Sequence, residues 1–169
     1  NLGVTFIHSG FGAENGSSYA NYIWSHKWSF WSSTFSTWIK YNINPFKNPT
    51  LSTPKIGTIG VICHESLHSF GLPDLYDTDY SSRGAGRSSI MASGSWGYLI
   101  QNSTPWLPTF ANTWTRNELN SYFTTNIIAI SSDQTNLKLS SISLENKSYR
   151  IDHPDTNVSD YWLIEYRTG

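Results

Sequence analysis

The sequence has little charge, one cysteine and no long apolar run, and each shortage excludes a class of protein. Charged residues make up 14% of the 169 residues and the formal net charge is −1, so no basic surface is available to attract nucleic acid or anionic lipid. The single cysteine, Cys63, forms neither an internal disulfide nor a thiolate zinc cage. No apolar run approaches the roughly 20 residues that span a bilayer. We therefore expect no nucleic acid partner and no membrane span.

Methionine is as scarce as cysteine, and it is absent from the start of the chain. The only methionine is Met91, and Asn1 leads directly into the strand-like residues 4–8. Position 1 is therefore not expected to be a natural translation start. We interpret the chain as part of a longer precursor.

The apolar pattern predicts strands at both ends of the chain. Residues 4–8 have the pattern of a buried strand, and the aromatic-rich segment 20–44 favours one or two half-buried strands. The resulting fold class is α+β, with a core at residues 1–125 and a β-rich portion at 126–169 packed on it. Short antiparallel strands are predicted in that portion at 127–130, 137–139, 149–151 and 161–164.

One clear helix is predicted between these groups of strands. Thr53 and Pro54 have the pattern of an N-cap followed by proline at the first helical position. Apolar residues then recur every three or four positions, and Gly71 predicts a helix end near Ser69. A second, weaker helical pattern covers about residues 109–122.

The predicted helix carries the segment His64-Glu65-Ser66-Leu67-His68, whose residue types suit a catalytic metal site. Two histidines four positions apart lie about one turn along a helix, so both imidazoles can bind one ion. Glu65 can reach a water at that ion, take its proton as general base and return it to a leaving amine. The spacing predicts a zinc ion (Zn2+) held by His64 and His68, with Glu65 as the catalytic residue.

A third ligand is expected from the turn that follows the helix, because a catalytic zinc usually has three protein ligands and one open position. A left-handed turn at Gly71 would bring Asp74 back toward the ion, which makes Asp74 the predicted third ligand. Asp77 and Asp79 compete for this role, or orient a ligand histidine as hydrogen-bond acceptors. The alternative is an ordinary core helix whose histidines bond to backbone, but Glu65, Gly71 and Asp74 together argue against it.

A glycine-rich segment and two histidines precede the predicted helix. The glycines of segment 9–16 are spaced as in some phosphate-binding loops, but no helical pattern follows them, which argues against phosphate. His8 and His26 are candidates for stabilising a tetrahedral intermediate. A purely structural role is the more common one for such histidines.

The segment from His64 to Asp77 resembles the zinc motif of the immune inhibitor A-like peptidases, the M6 family. It is similar to the metzincin signature with aspartate as the third ligand. Metzincins also have a methionine-containing turn beneath the metal, and residues 89–96, which include Met91, match the form of that turn. The resemblance covers most of the chain, since further matching segments are residues 7–12, 23–28 and 161–167.

This resemblance implies a secreted or cell-surface zinc endopeptidase, made with a propeptide or flanking domains, that cleaves protein or peptide substrates. It also implies a metzincin-like catalytic domain with a twisted mixed sheet, an active-site helix and a methionine turn. Ser93 departs from the pattern, because some metzincins have a metal-side tyrosine there. The candidate donors to the oxyanion are therefore Tyr76, Tyr80 and Tyr98.

Two other functions stay open at the level of sequence. A non-catalytic binding or scaffold module in a larger extracellular assembly would have the same fold, and a zinc hydrolase of non-peptide substrates would have the same ligands. Substrate preference depends on the shape of a pocket, which the sequence does not give. Room for a structural calcium ion (Ca2+) is left by acidic residues at two places: Asp74, Asp77 and Asp79, and Asp152, Asp155 and Asp160.

Overall fold

The fold mixes α and β structure, as the sequence predicts. A computed structural model describes residues 3–15, 21–48, 55–56, 59–97, 108–122 and 125–168. The chain divides into two compact units, Asn1–Thr109 and Phe110–Gly169. None of the helices in these described ranges is long and apolar enough to cross a membrane. The predicted division between residues 125 and 126 stays a prediction.

The first unit is built on a four-stranded mixed sheet. β1 pairs with β3 in parallel, β2 pairs with β3 antiparallel, and β4 pairs antiparallel with the end of β3. The aromatic segment predicted as one or two strands therefore contributes to two, β2 and β3. The bounds are β1 Gly3–Phe11, β2 His26–Ser32, β3 Thr37–Asn48 and β4 Lys55–Ile56.

The predicted burial of the first strand is wrong. Most β1 side chains are exposed, among them Phe6 and Ile7, which point to opposite faces of the strand. The buried positions belong to the middle strand, where Asn42 and Asn44 lie on one face and share a hydrogen bond of 2.7 Å. Lys40 lies on the same face and donates from Nζ to Ser69 O at 3.0 Å. This face of β3 is therefore hydrogen-bonded to Ser69, which lies further along the chain at the end of the central helix.

The helix α1 (Ile59–Ser69) is the predicted central helix, but it begins later than predicted. Thr53 and Pro54 lie outside the described residues, and the two residues that follow them belong to β4. Their backbone pairs with residues 47–48 at the end of β3, so it is extended rather than helical. The predicted N-terminus of the helix is therefore wrong.

The predicted end of α1 is confirmed, and it sets the direction of the following chain. Gly71 has a φ of +103°, a left-handed conformation that glycine adopts without strain. Its N–H donates to His68 O at 2.9 Å, and Leu72 N donates to Leu67 O at 3.4 Å. This pair of bonds is the Schellman arrangement that ends many helices. The chain after Gly71 therefore turns back toward the last turn of α1.

Gly60 allows α1 to approach the short 3-10 turn Ser93–Trp96 closely. A Cβ at residue 60 would meet the carbonyl oxygen of Ser95. We expect Gly60→Ala to lower the free energy of unfolding by about 1–3 kcal/mol, as overpacking does. Urea unfolding measures this change. Gly3→Ala is the control, because nothing lies within 4 Å of its added Cβ, and an equal effect of the two substitutions would contradict the close approach.

The second unit contains a short helix and a three-stranded sheet. The helix α2 (Thr113–Glu118) is shorter than the predicted 109–122, and its N-cap Asn112 accepts a hydrogen bond from Thr115 N at 2.8 Å. The strands form a sheet in the order β5, β6, β7. Their bounds are β5 Asn126–Ala129, β6 Lys147–Asp152 and β7 Tyr161–Ile164.

Two predictions about this sheet are wrong in part. β6 and β7 are antiparallel as predicted, but β5 and β6 are parallel, which the long connection between them permits. Residues 137–139 do not form a strand. The carbonyl oxygen of Lys138 instead accepts a hydrogen bond from the Tyr149 hydroxyl at 3.2 Å.

Candidate metal centre

The helical spacing of His64 and His68 brings their rings together on one side of α1. Their Nε2 atoms are 3.1 Å apart, and the ring centroids are 4.7 Å apart with the planes nearly perpendicular at 89°. Both side chains are buried. The structure therefore joins the two histidines that the sequence singled out.

A backbone carbonyl holds each ring at its other nitrogen. His64 Nδ1 donates to Ile90 O at 2.8 Å, and His68 Nδ1 donates to Leu72 O at 2.7 Å. Because a carbonyl only accepts hydrogen bonds, each neutral ring carries its proton on Nδ1. The Nε2 lone pairs are therefore free to bind a cation, in the orientation usual for metal-ligating histidines.

Asp74 lies against both histidines. Its Oδ1 atom is 3.0 Å from His64 Nε2 and 3.1 Å from His68 Nε2. This oxygen is buried, and within the described ranges no donor meets hydrogen-bond geometry toward it. Burial raises the pKa of Asp74, but imidazoles that are protonated at Nε2 donate hydrogen bonds to it and carry positive charge, and in that state they hold the pKa well below its usual range. The group is therefore an ionised carboxylate.

These three atoms form a triangle that fits a zinc ion. Its sides measure 3.0, 3.1 and 3.1 Å. When both rings are neutral and carry their protons on Nδ1, three lone pairs face one another at these distances and repel unless a cation lies among them. The ligands of a tetrahedral zinc, at about 2.0–2.1 Å from the metal, lie about 3.3 Å from one another. Two imidazoles and one carboxylate also leave the open position that a catalytic zinc needs.

Glu65 lies beside this triangle. The candidate ligand atoms of His64, Glu65 and His68 all lie within 4.8 Å of one another, and Glu65 is buried. Burial raises the pKa of Glu65, and the smaller electrostatic effect of the neighbouring His64 and His68 lowers it. A carboxylate of this kind is common at catalytic sites.

Asp77 and Asp79, the competing candidates for the third ligand, bond within their own loop. Asp77 Oδ2 accepts hydrogen bonds from Ser82 N at 2.7 Å and Ser81 Oγ at 2.8 Å. Asp79 Oδ1 accepts one from Ser81 N at 2.9 Å. Across the part of the chain that is described, only Asp74 has a carboxylate oxygen in contact with Nε2 of both histidines.

The segment that contains Met91 is hydrogen-bonded to the site at two points. The Met91 side chain is fully buried, and its carbonyl oxygen accepts a hydrogen bond from Leu75 N at 2.7 Å. Ile90, one residue earlier, provides the acceptor for His64. One segment therefore fixes both a histidine ring and the backbone next to Asp74.

A cavity of about 430 Å³ opens beside Glu65. Its volume lies within the usual range of ligand-binding pockets, about 300–1,000 Å³. Four aromatic residues contribute to its wall, together with charged and hydroxyl-bearing side chains. The wall includes Glu14, Trp24, Ser25, Tyr76 and Tyr80.

Of the two candidate oxyanion donors that lie within the described residues, Tyr76 has a ring contact with a candidate ligand. Its ring stacks against His64, with the centroids 6.4 Å apart and the planes 19° from parallel. Burial and the charge of Asp74 raise the pKa of Tyr76 to about 12, so the phenol keeps its proton. Tyr80 lines the cavity but is largely exposed, and Tyr98 lies outside the described residues.

The sequence did not indicate every group at this site. Ile90 O could not be predicted, because it meets α1 only through the fold. The contact of Leu72 O with His68 could be predicted, because the left-handed turn at Gly71 returns the next residue to the last helical turn. Glu14 and Ser25 stand in segments with no spacing relation to α1, so only the structure brings them to the cavity.

Two comparisons with known proteins find related sequences. The family model for the catalytic domain of immune inhibitor A peptidase M6 matches residues 3–123. Immune inhibitor A of Bacillus thuringiensis subsp. alesti is 34% identical over 112 residues, which cover 60% of this chain and 16% of that protein. Pre-pro-metalloprotease PrtV of Vibrio cholerae serotype O1 (strain M66-2) is 33% identical over 112 residues, covering 60% of this chain and 12% of that protein. No solved structure matches the chain.

Proposed function

Because the chain belongs to the immune inhibitor A peptidase family, M6, we propose that it is a zinc-dependent endopeptidase domain that hydrolyses peptide bonds of protein substrates. The predicted family is confirmed, and so is the predicted enzyme class, a metalloendopeptidase. The matched region is only 16% and 12% of the length of the two relatives, so the activity of the whole protein is part of the proposal. The observation that carries it is the convergence of His64, His68 and Asp74 beside Glu65.

We assign His64, His68 and Asp74 as the zinc ligands. Three facing lone pairs, together with carbonyls that fix the protons on the opposite nitrogens, support this assignment. A zinc ion bound there would polarise the scissile carbonyl and lower the pKa of water to about 7.

Glu65 acts as the general base in this proposal. Its position beside both histidines and on the cavity wall lets its carboxylate take a proton from the attacking water. The same carboxyl group then returns the proton to the nitrogen of the leaving amine. Tyr76, whose phenol keeps its proton, donates a hydrogen bond to the oxyanion that develops on the substrate.

The edge strand β2 would hold the substrate extended. β2 lies at one edge of the described sheet, and Trp24 and Ser25, just before it, line the cavity together with Glu65. An extended peptide adds to such an edge through main-chain hydrogen bonds, while its side chains enter pockets. This arrangement supports a protein or peptide substrate over a small one.

We also propose finer features of the fold and a location. They are a metzincin-like domain in which residues 89–96 form the methionine turn, a core at 1–125 with a β-rich portion at 126–169, and a secreted or cell-surface protein. The greater length of the relatives is consistent with a propeptide or flanking domains. A structural calcium ion gains no support from the contacts of Asp77 and Asp79.

Casein digestion with and without a zinc chelator tests the proposed function. We expect the chain to cleave casein, the chelator to stop cleavage, and added zinc to restore it. A chain that binds zinc but leaves casein and unstructured peptides intact would instead be a non-catalytic module.

The assignment of the third ligand predicts different effects of two similar substitutions. Asp74→Asn removes a charged ligand, so zinc affinity should fall by more than about tenfold, a loss that even a hydrogen-bond partner of a ligand can produce. Asp77→Asn is the matched control and should keep near wild-type affinity. Competition with a chromophoric chelator measures both. Loss of zinc from Asp77→Asn but not from Asp74→Asn would show that the assignment is wrong.

A further inference from the structure

Glu14 links the loop after β1 to the segment before β2. Its Oε1 atom accepts a hydrogen bond from Ser25 Oγ at 2.6 Å, and Oε2 accepts one from Ser25 N at 3.2 Å. A backbone bond runs beside them, from Ala13 N to Ile23 O at 3.2 Å. Both donors of Ser25 are therefore bound by one carboxylate.

The Glu14 carboxylate occupies space that a larger residue at position 12 would need. A Cβ at Gly12 would meet the carboxyl carbon and both carboxyl oxygens of Glu14. Gly12 is buried, and it is the absence of its side chain that lets the carboxylate fold back over the loop. This gives a way to displace the carboxylate without changing its charge.

The segment held by Glu14 forms part of the cavity wall beside the proposed general base. Trp24 and Ser25 line the cavity together with Glu65. Trp24 is 59% exposed, so packing alone does not fix its position. Its carbonyl oxygen accepts a hydrogen bond from His26 Nδ1 at 2.8 Å, and β2 begins at His26. The position of this wall therefore depends on the bonds to Ser25.

We infer that Glu14 is a positioning residue for the peptide substrate: through Ser25 it holds Trp24 and the start of β2 in the wall of the cavity beside Glu65. The inference rests on the proposed endopeptidase function. Glu14 acts through Ser25 and not on the reacting atoms, so its loss weakens substrate binding more than it slows the chemical step. Because the wall is already held in its binding conformation, less conformational entropy is lost when the substrate binds.

Peptide cleavage by Glu14→Ala tests this role. We expect KM to rise about tenfold, which is the low end of the effect of a hydrogen bond to a charged group, with kcat nearly unchanged. Glu14→Gln keeps an oxygen that accepts from Ser25 and should recover most of the loss. Glu118→Ala removes an exposed carboxylate on α2 and is the control. A KM for Glu14→Ala equal to that of the control, or a fall in kcat at constant KM, would overturn the inference.

Two further variants separate positioning by Ser25 from other effects of residue 14. Gly12→Ala should raise KM like Glu14→Ala, because its methyl group displaces the carboxylate. The double variant Glu14→Ala/Ser25→Ala should have the same KM as Glu14→Ala alone, because both substitutions break the same hydrogen bonds. A KM that rises further in the double variant would contradict the proposal that Glu14 acts through Ser25.

Hydrogen exchange keeps this test distinct from that of the proposed function. Exchange at residues 23–26 should be faster in Glu14→Ala and Gly12→Ala than in Glu118→Ala. Unchanged exchange would overturn the positioning role regardless of activity. A wild-type chain that cleaves no peptide would refute the proposed function. Faster exchange in the variants would then show only that Glu14 fixes residues 23–26, and the role of Glu14 in substrate binding would be refuted together with the proposed function.

Discussion

Replacing Glu65 by glutamine is expected to lower kcat for peptide cleavage by about 100- to 10,000-fold, the usual contribution of a positioned general base. Glutamine has almost the same shape as glutamate, but its amide oxygen does not take up the proton of the attacking water. The zinc content should not change, because the proposed ligands are His64, His68 and Asp74. Cleavage of a fluorogenic peptide gives kcat, and elemental analysis gives the zinc content.

The combination of lost activity and retained zinc is specific to the role of Glu65. Glu118→Gln, on the exposed side of α2, provides the matched control and should keep wild-type activity. If Glu65→Gln cleaved peptide at close to the wild-type rate, another group would have to be the general base. If it lost zinc as well, Glu65 would be needed for the metal site itself.

His68→Ala is expected to lose both bound zinc and activity. The substitution removes one of three proposed ligands, and zinc should then dissociate during dialysis. It also removes the donor to Leu72 O, the bond that helps to hold the turn after α1. Circular dichroism should therefore accompany the zinc analysis, so that loss of metal is measured on folded protein.

His153→Ala is the control for removal of an imidazole. His153 lies in the second unit, where its ring stacks on Trp162 with the centroids 6.0 Å apart. This variant should keep zinc and activity. Full zinc content in folded His68→Ala would exclude His68 as a ligand.

The helix end and the cluster at the candidate site could be predicted because the interactions that form them are local. His64 and His68 meet because four residues make about one helical turn, and Gly71 turns the chain because its φ is positive. Asp74 follows only three residues later, so it stays near the histidines. The roles of these residues as ligands stay predictions, but their proximity follows from the sequence.

The start of α1 and the exposure of β1 could not be predicted in the same way. Residues 55–56 have a helical pattern locally, yet pairing with the end of β3 makes them extended. The pattern of residues 4–8 gives a strand but not what covers its two faces, and most of the β1 side chains are exposed. Both outcomes depend on partners that are distant in the sequence.

The contacts that shape the cavity are of the same long-range kind. Ile90 reaches His64 across 26 residues, and Ser25 reaches Glu14 across 11. Neither contact has a period or spacing that a sequence could display. The helical motif therefore predicts where chemistry occurs, while the wall that receives a substrate becomes visible only in the fold.

Zinc content and peptide cleavage, measured on the same sample while zinc is removed and then added back, test the central claim most directly. The account predicts that cleavage disappears with the metal and returns in proportion to bound zinc, reaching its maximum at about one zinc ion per chain. Full cleavage by the zinc-free chain would contradict it. So would a chain that binds zinc at this stoichiometry and cleaves no peptide.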